Sequence, residues 1–254
     1  MKQVKLVSYD ELEEENRELK IVLRKLAHEM GNALTLLGAS IYYVEASVDN
    51  KSAKCNINDL KNDYTYICNL FKELREYNQT DVIVKKEITV RKMIDAIESA
   101  FSKMHGSEDV SLYVFKQDNI LDKKIYADLV MLRQALINIL KNSIDAVWEN
   151  EDSKGKNIEV KIMVENIYEC EIEDLELENI SEVIHIEVAD NGKGIADMHI
   201  NEIFKPMFTY GKKDGTGLGL AVVRKIVEKH KGKIKAVSAL GTGTAIHIYF
   251  PIFD

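Results

Sequence analysis

The stretch Leu136-Ile-Asn-Ile-Leu-Lys-Asn-Ser-Ile-Asp-Ala146 combines the apolar spacing of a buried helix with two amide side chains four residues apart. Steps of four place Asn138 and Asn142 on one face of this helix, with Asp145 about one turn further along. Apolar residues occupy the other faces, so the amides mark either a ligand site or a surface that faces solvent. Amide oxygens can ligate Mg²⁺ where nucleotide phosphates supply the negative charge.

A second polar segment, Asp190-Asn-Gly-Lys-Gly194, directly follows a predicted strand over 183–189. A carboxylate at the end of a strand can accept a hydrogen bond from the exocyclic amine of adenine. Gly192 and Gly194 would let the backbone approach the base closely. The same D-x-G-x-G pattern is also a common turn, so taken alone it leaves both interpretations open.

A third segment, Gly215-Thr216-Gly217-Leu218-Gly219-Leu220, is a glycine-rich turn that opens a helix. Such a turn presents backbone N–H groups and the positive end of the helix to a phosphate. Lys212 and Lys213 come just before it. A lone G-x-G-x-G pattern is weak evidence, since it lacks the G-K-[ST] of a Walker loop and no βαβ unit supports a dinucleotide site.

Residues 81–254 mix strand-like and helix-like segments without a strict βαβ rhythm. Thr89 and Asp128 are plausible N-caps for helices that run to Phe101 and to about Asn150, and a further helix follows Gly217. The predicted strands are Val84–Ile88, Val110–Phe115, Lys124–Tyr126, Ile158–Val164, Val183–Ala189, Lys233–Ser238 and Thr244–Phe250. This mixture predicts an α+β fold, built as an α/β sandwich with helices on one face of a sheet.

Residues 1–80 predict a helical hairpin, because apolar residues recur in alternating steps of three and four. Two helices cannot bury such stripes alone, so we expect a homodimer whose two hairpins form a four-helix bundle. The polar segment 49–58 fits a short turn between the helices, and we expect the domain boundary near 79–85. The stripes are Leu12, Leu19, Leu23, Leu26, Met30, Ala33, Leu37 and Val44, then Ile57, Leu60, Tyr64, Ile67, Phe71 and Leu74.

His28 lies on the outward face of the first predicted helix, at heptad position f when Leu26 is placed at d. Asn32, four residues on, shares that face, and Glu29 is the next residue. An exposed histidine beside a carboxylate can become more basic and can act as a nucleophile. Taken alone, the pattern more often describes an ordinary surface histidine.

The composition of the 254 residues excludes several classes of protein. With 46% hydrophobic and 30% charged residues, the chain is too apolar to be disordered and too charged to be a membrane protein. It carries no apolar run that could span a bilayer. The net charge of -8 argues against a nucleic-acid partner. Three cysteines without metal-ligand spacing, and no signal-peptide core, favour reduced thiols in a cytoplasmic protein.

The order of the motifs H-E, N-x-x-x-N, D-x-G-x-G, F-x-P-x-F and G-x-G-x-G resembles that of the sensor histidine kinases of two-component signalling, from about Leu19 to Pro251. The resemblance implies a dimerising phosphoacceptor hairpin over 1–80, followed over 81–254 by an ATP-binding domain of the fold shared with gyrase and Hsp90. It implies autophosphorylation of a histidine with ATP and Mg²⁺. The phosphoryl group would then pass to an aspartate on the receiver domain of a response regulator, which such proteins can also dephosphorylate.

The resemblance assigns roles to residues of the hairpin. The segment LAHEMGNAL resembles the phosphoacceptor box, which implies that His28 is phosphorylated, that Glu29 assists as general base and that Asn32 is linked to dephosphorylation of the partner. The sequence departs from the usual box at Gly31, in place of a basic residue, and at Ala33, in place of proline. These departures bear on the balance of kinase and phosphatase activities.

The resemblance also assigns nucleotide-binding roles. It implies that Asn142 is the ligand of Mg²⁺, with Asn138 as its companion, and that Asp190 contacts adenine. The segment 203–220 resembles the phenylalanine box, ATP lid and second glycine box, and 241–244 resembles a last motif near the adenine pocket. The nucleotide-binding residues expected in this way are Asn138, Asn142, Asp145, Asp190, Gly192, Gly194, Lys212, Lys213, Gly215, Gly217, Gly219 and Thr244.

Two other functions fit part of the pattern. A non-catalytic scaffold would bind nucleotide only to set the shape of a bundle that docks a regulator, and it would form no phosphohistidine. An ATPase or chaperone of the wider fold would turn over ATP independently of His28, although the dimerising heptads argue against it. No sensor domain precedes Tyr9, so we expect a soluble kinase fed by a partner or the cytosolic end of a longer protein.

Overall fold

The structure is a computed structural model that describes residues 30–32, 34–48, 51–79, 83–150, 155–166, 181–210 and 215–252. Within 51–79, side chains are described only for residues 56–77. The chain forms two compact units, one ending at residue 81 and the other beginning at residue 82. Among the described residues, no helix is both long enough and apolar enough to cross a membrane.

The first unit is a helical hairpin. Helix α1 covers 30–32 and 34–47, and helix α2 runs over Lys51–Gln79. The prediction of a turn over 49–58 is wrong in extent, because α2 already begins at Lys51. The first residues of α2 are polar but include no glycine or proline, so they form helical turns that sequence polarity alone does not distinguish from a loop. The two helices contact each other where Lys61 of α2 pairs with Glu45 of α1.

The hairpin leaves an apolar face exposed within one chain. Ile41 of α1 and Ile57 of α2 are buried, at 5% and 7% exposed. Ile57 belongs to the predicted stripe of α2, but five other stripe side chains are between 37% and 52% exposed. These are Met30, Leu37, Val44, Leu60 and Ile67. Contiguous apolar surface of this kind is usually covered by another protein surface.

The second unit contains a five-stranded mixed sheet and a separate two-stranded ribbon. The strands are β1 (Lys86–Thr89), β2 (Val110–Lys116), β3 (Lys124–Ala127), β4 (Lys156–Asn166), β5 (Glu182–Asp190), β6 (Lys233–Ala239) and β7 (Gly243–Pro251). The large sheet has the order β2-β4-β5-β7-β6, in which only β2 and β4 are parallel. The ribbon pairs β1 with β3 in antiparallel register.

Four helices complete this unit: α3 (Val90–Phe101), α4 (Leu129–Trp148), α5 (Asp197–Ile200) and α6 (Gly219–Lys229). Both predicted N-caps are confirmed. The Thr89 hydroxyl accepts a hydrogen bond from the Lys92 N–H at 3.4 Å, and Asp128 Oδ1 accepts from the Val130 and Met131 N–H groups at 3.0 and 3.2 Å. Each side chain satisfies N–H groups that a helix start otherwise leaves unpaired.

Every predicted strand is present, with shifts of one or two residues at most ends. Strand β4 is two residues longer than predicted at each end, and β1 begins at Lys86 rather than Val84. The Val84 N–H donates to Asp128 Oδ2 at 2.9 Å instead of joining a strand. Helix α4 ends at Trp148, slightly before the predicted Asn150.

The core lies between the sheet and the layer formed by α4 and α6. Alternate residues of β5, Ile184, Ile186 and Val188, are at most 1% exposed and face this layer. Both helices contact β7 as well as each other, so they pack on the same face of the sheet. The predicted α+β sandwich is therefore confirmed for the second unit.

A buried histidine joins the two helices of this layer. The Asp128 N–H donates to His230 Nε2 at 2.8 Å, and His230 Nδ1 donates to the Ile226 carbonyl at 2.7 Å. Because Nε2 accepts, the ring is neutral, and burial lowers the pKa of His230. Burial alone would raise the pKa of Asp128, but hydrogen bonds from the Val84, Met131 and Val130 N–H groups outweigh it and lower that pKa. The start of α4 and the end of α6 are thus held together.

Candidate nucleotide-binding site

One face of α4 carries both amides of the N-x-x-x-N motif. Asn138 and Asn142 are half-buried, and continuing in steps of four leads to Ala146 and then to Asn150, just beyond the helix. The sequence has two glycine-rich segments, the first over 190–194 and the second over 215–220, and both contact this face. The second does so before Asn142 along the helix and the first after it.

Asn138 connects α4 to the second glycine-rich segment. Its Nδ2 donates to the Gly219 carbonyl at 3.1 Å, and its Oδ1 accepts from Gln134 Nε2 at 3.2 Å. Gly219 is the first residue of α6. The amide of Asn138 therefore orients the backbone at the start of that helix.

The first glycine-rich segment packs on the same face of α4, one turn beyond Asn142. A Cβ on Gly192 would lie 2.6 Å from the Ala146 carbonyl carbon, and the Lys193 N–H donates to the Ala146 carbonyl at 3.1 Å. Asn150 Nδ2 donates to the carbonyls of Asn191 and Gly192 at 2.9 and 3.0 Å. Only a residue without a side chain permits this approach.

Asn142 consequently lies between two loops that both expose backbone polar groups. Its amide oxygen belongs to the neutral oxygen donors that Mg²⁺ accepts when phosphates complete its shell. Asp145 is also half-buried, three residues further along α4. The chemistry of this donor set fits a magnesium-bound nucleotide.

Asp190 ends β5 and holds the first glycine-rich segment against β7. Its Oδ1 accepts hydrogen bonds from the Gly192 N–H at 3.0 Å and the Thr244 N–H at 3.3 Å. Gly194, at φ +71°, continues the turn, where a Cβ would collide with the Ala239 carbonyl oxygen. The carboxylate is therefore positioned by main-chain N–H groups from the turn after β5 and from β7.

Thr244 belongs to a small hydroxyl network beside Asp190. Ser238 of β6 lies opposite Thr244 in the sheet, and the two hydroxyl oxygens are 2.8 Å apart. Ser238 Oγ also donates to the Gly243 carbonyl at 2.7 Å and accepts from the Ile195 N–H at 2.8 Å. Ser238 thus ties the residue after the first glycine-rich segment to the start of β7.

The two glycines of the second segment have different surroundings. Gly217 has φ +69°, and a Cβ there would lie 2.5 Å from the Met207 carbonyl carbon and 2.7 Å from the Phe208 nitrogen. Gly219 has no atom within 4 Å of a Cβ built on it. Gly217 is therefore required by the conformation of the turn, whereas the space beside Gly219 is open to a ligand.

The F-x-P-x-F segment, residues 204–208, packs between the two glycine-rich segments. The His199 ring of α5 lies 5.7 Å from the Phe208 ring and 4.8 Å from the Tyr210 ring, measured between centroids. The Lys193 ammonium group lies 5.7 Å from the Tyr210 ring and pairs with Glu149 at the end of α4. The segment is thereby held close to the first glycine-rich turn.

The structure thus brings together most of the sequence-predicted nucleotide-binding residues around α4. Gly215 is half-buried at the start of the second glycine-rich segment. Asn32 is exposed on α1, in the other unit. His28, Glu29, Lys212 and Lys213 lie outside the described residues.

Two residues of the site were not predicted from the sequence. Asn150 could have been predicted, because it continues the series of four-residue steps that begins at Asn138. Ser238 carried no such signal, since its place opposite Thr244 depends on the register between two strands.

Known proteins resemble this chain in sequence and in fold. A family model described as histidine kinase-, DNA gyrase B- and HSP90-like ATPase matches residues 127–253. The sensor histidine kinase ZraS of Salmonella typhimurium is 28% identical over 228 residues, which cover 89% of this chain and 44% of that protein. The chain therefore spans less than half the length of this relative.

Two solved structures share the fold. Histidine kinase ThkA, in complex with the response regulator protein TrrA, has a TM-score of 0.61 at 23% identity, covering 98% of this chain and 68% of that chain. Full-length ShkA, in complex with AMPPNP, has a TM-score of 0.64 at 18% identity, covering 90% of this chain and 45% of that chain.

Proposed function

Because the chain belongs to the histidine kinase-, DNA gyrase B- and HSP90-like ATPase family, we propose that its second unit binds ATP with Mg²⁺ on the face of α4 between the two glycine-rich segments. One observation carries this proposal. Asn138 is hydrogen-bonded to the Gly219 carbonyl, and Ala146 packs against Gly192. The half-buried Asn142 therefore lies between two loops rich in backbone donors.

Each part of the nucleotide has a partner of matching chemistry. The Asp190 carboxylate accepts the exocyclic amine of adenine, a group that carries only donors at that position. The N–H groups of 215–220, with Lys212 and Lys213, receive the phosphates. Asn142 holds the Mg²⁺, which offsets the charge that develops on the transferred phosphoryl group.

We further propose that the chain is a protein-histidine kinase that phosphorylates His28. An imidazole nitrogen of His28 attacks the γ-phosphorus of ATP, the bond from that phosphorus to the β,γ-bridging oxygen breaks, and ADP leaves. Glu29 orients the ring and takes its proton. The similarity to ZraS, a sensor histidine kinase by name, supports this assignment.

The phosphoryl group then passes to an aspartate on the receiver domain of a response regulator. Asn32 positions the water that later hydrolyses this phosphoryl group from the regulator. The fold shared with ThkA, whose structure contains a response regulator, is consistent with such a partner. We place the reaction in the cytoplasm, where ATP is the phosphoryl donor.

The exposed apolar face of the hairpin supports a homodimer. A four-helix bundle of two hairpins would bury stripe residues that one chain leaves exposed. Leu37→Glu should therefore dissociate the dimer in sedimentation velocity. Leu36→Glu is the matched control, because Leu36 is more exposed, at 72%, and lies off the stripe. Equal behaviour of the two variants would remove the support for this interface.

Asp190→Asn tests the nucleotide site. The asparagine oxygen can still accept from the Gly192 and Thr244 N–H groups, so the free energy of unfolding should change by less than about 1 kcal/mol. ATP affinity should fall at least about tenfold in isothermal titration calorimetry, because an amide cannot replace a carboxylate as a pure acceptor. Asp118→Asn, at an exposed turn, is the control. Unchanged affinity of the Asp190 variant would contradict the adenine contact.

Incubation with γ-labelled ATP tests the kinase assignment. The chain should acquire label that is labile in acid and stable in base, and His28→Gln should abolish it, whereas His105→Gln should not. Label that persists in the His28 variant would refute the phosphoacceptor. ATP binding without any phosphohistidine would instead favour the scaffold function.

A further inference from the structure

A cluster of histidines and glutamates lies on the face of the sheet that points away from α4 and α6. Side chains alternate along a strand, so His185 and Glu187 of β5 share this face, and the pairing Glu187↔His247 places His247 of β7 beside them. Glu165 of β4 adjoins the same cluster. The proposed nucleotide site does not use any of these side chains.

The geometry of the cluster suits a metal ion. His185 Nε2 lies 3.1 Å from His247 Nδ1, and Glu187 Oε2 lies 3.8 Å from His247 Nδ1. The ligand atoms of these three residues all lie within 4.8 Å of one another. Two nitrogens on a tetrahedral Zn²⁺ with bonds of about 2.0–2.1 Å stand roughly 3.3 Å apart, so the histidine nitrogens already have nearly the required separation.

The surrounding residues fix the orientation of the ligands. Glu165 Oε1 lies 2.7 Å from His185 Nδ1, so that nitrogen donates and Nε2 keeps its lone pair, as in carboxylate–histidine–zinc arrangements. The ring of Tyr249 stacks on the His185 ring at 4.3 Å between centroids. Lys161 Nζ donates to Glu187 Oε1 at 2.8 Å, which directs the other oxygen toward the histidines.

We propose that His185, Glu187 and His247 form a binding site for a divalent transition-metal ion of the Zn²⁺ type, with water as the fourth ligand. Imidazole with one carboxylate favours such ions over Mg²⁺ or Ca²⁺, which prefer all-oxygen sites. The three side chains are only 7–17% exposed, so the ion would be largely shielded from solvent. The site goes beyond the proposed kinase function, since neither ATP nor His28 takes part.

The competing interpretation is a metal-free hydrogen bond from His247 Nδ1 to His185 Nε2. Metal binding requires the other neutral tautomer of His247, in which Nε2 carries the proton and Nδ1 offers its lone pair. The two states therefore differ in a proton position that can be measured.

Equilibrium dialysis of the full chain against Zn²⁺ alone, followed by metal analysis, tests the site. One ion per chain should be retained, and His185→Gln, His247→Gln and Glu187→Gln should each abolish this retention. Glu165→Gln should weaken it about 10–100-fold, because only the supporting carboxylate is changed. His105→Gln, at an exposed position, is the matched control and should retain the ion.

A measurement on the unaltered chain keeps the proposal testable if the variants fold poorly. In long-range ¹H–¹⁵N spectra, Zn²⁺ should shift Nε2 of His185 and Nδ1 of His247 and leave the ring nitrogens of His230 unchanged. Co²⁺ in place of Zn²⁺ should produce the strong visible absorption of a four-coordinate site. No retained ion, retention that survives all three ligand substitutions, or shifts confined to other histidines would overturn the proposal.

Discussion

Replacing Gly217 by alanine should disrupt the second glycine-rich segment, whereas the same change at Gly219 should leave the fold intact. At Gly217 the left-handed conformation costs an alanine about 1–2 kcal/mol. The backbone at Met207 and Phe208 must also move, because it lies 2.5–2.7 Å from the new Cβ, and such overpacking costs about 1–3 kcal/mol. The expected loss is therefore about 2–5 kcal/mol. At Gly219 the new methyl group meets open space, and alanine stabilises the helix start by about 0.4–1 kcal/mol.

Urea unfolding monitored by tryptophan fluorescence measures this difference, because the single tryptophan, Trp148, lies at the end of α4 in the second unit. Equal free energies of unfolding for the two variants would refute the conclusion that the conformation of the turn requires glycine at position 217. Calorimetric titration with ATP adds a second comparison. If the phosphates approach the open space beside Gly219, Gly219→Ala should bind ATP more weakly while being at least as stable as the unaltered chain.

Three further outcomes are expected. Stability should decrease as the pH falls below about 6.5, because burial lowers the pKa of His230 and the unfolded chain takes up a proton that the folded chain does not. In urea unfolding measured at several pH values, His230→Gln should weaken the dependence of the free energy of unfolding on pH. An unchanged pH dependence would show that His230 is not its source. Asn138→Ala should destabilise the second unit by about 1–3 kcal/mol, because the Gly219 carbonyl loses this donor, and it should also weaken ATP binding in titration calorimetry. Gly31→Ala places a methyl group in open space on α1 and should stabilise that helix by about 0.5–1 kcal/mol. A lower melting transition of the hairpin in calorimetry would contradict this.

Features that depend on near neighbours in the chain could be predicted. Thr89 and Asp128 were identified as caps because a capping oxygen acts on N–H groups two or three residues away. The amide face of α4 followed from steps of four, a property of the helix itself. The start of α2 was misjudged because exposed polar residues look alike in a loop and in the first turns of a helix.

The amino-acid pattern alone established the order of the motifs, the faces of the helices and the alternation of the strands, since these depend on a repeat of two or of 3.6 residues along a local segment. The assembly of the sites depended on folding. Asn138 meets Gly219 across 81 residues of chain, and His185 meets His247 across 62. Such contacts depend on how helices pack and which register the strands adopt, and no local spacing encodes either.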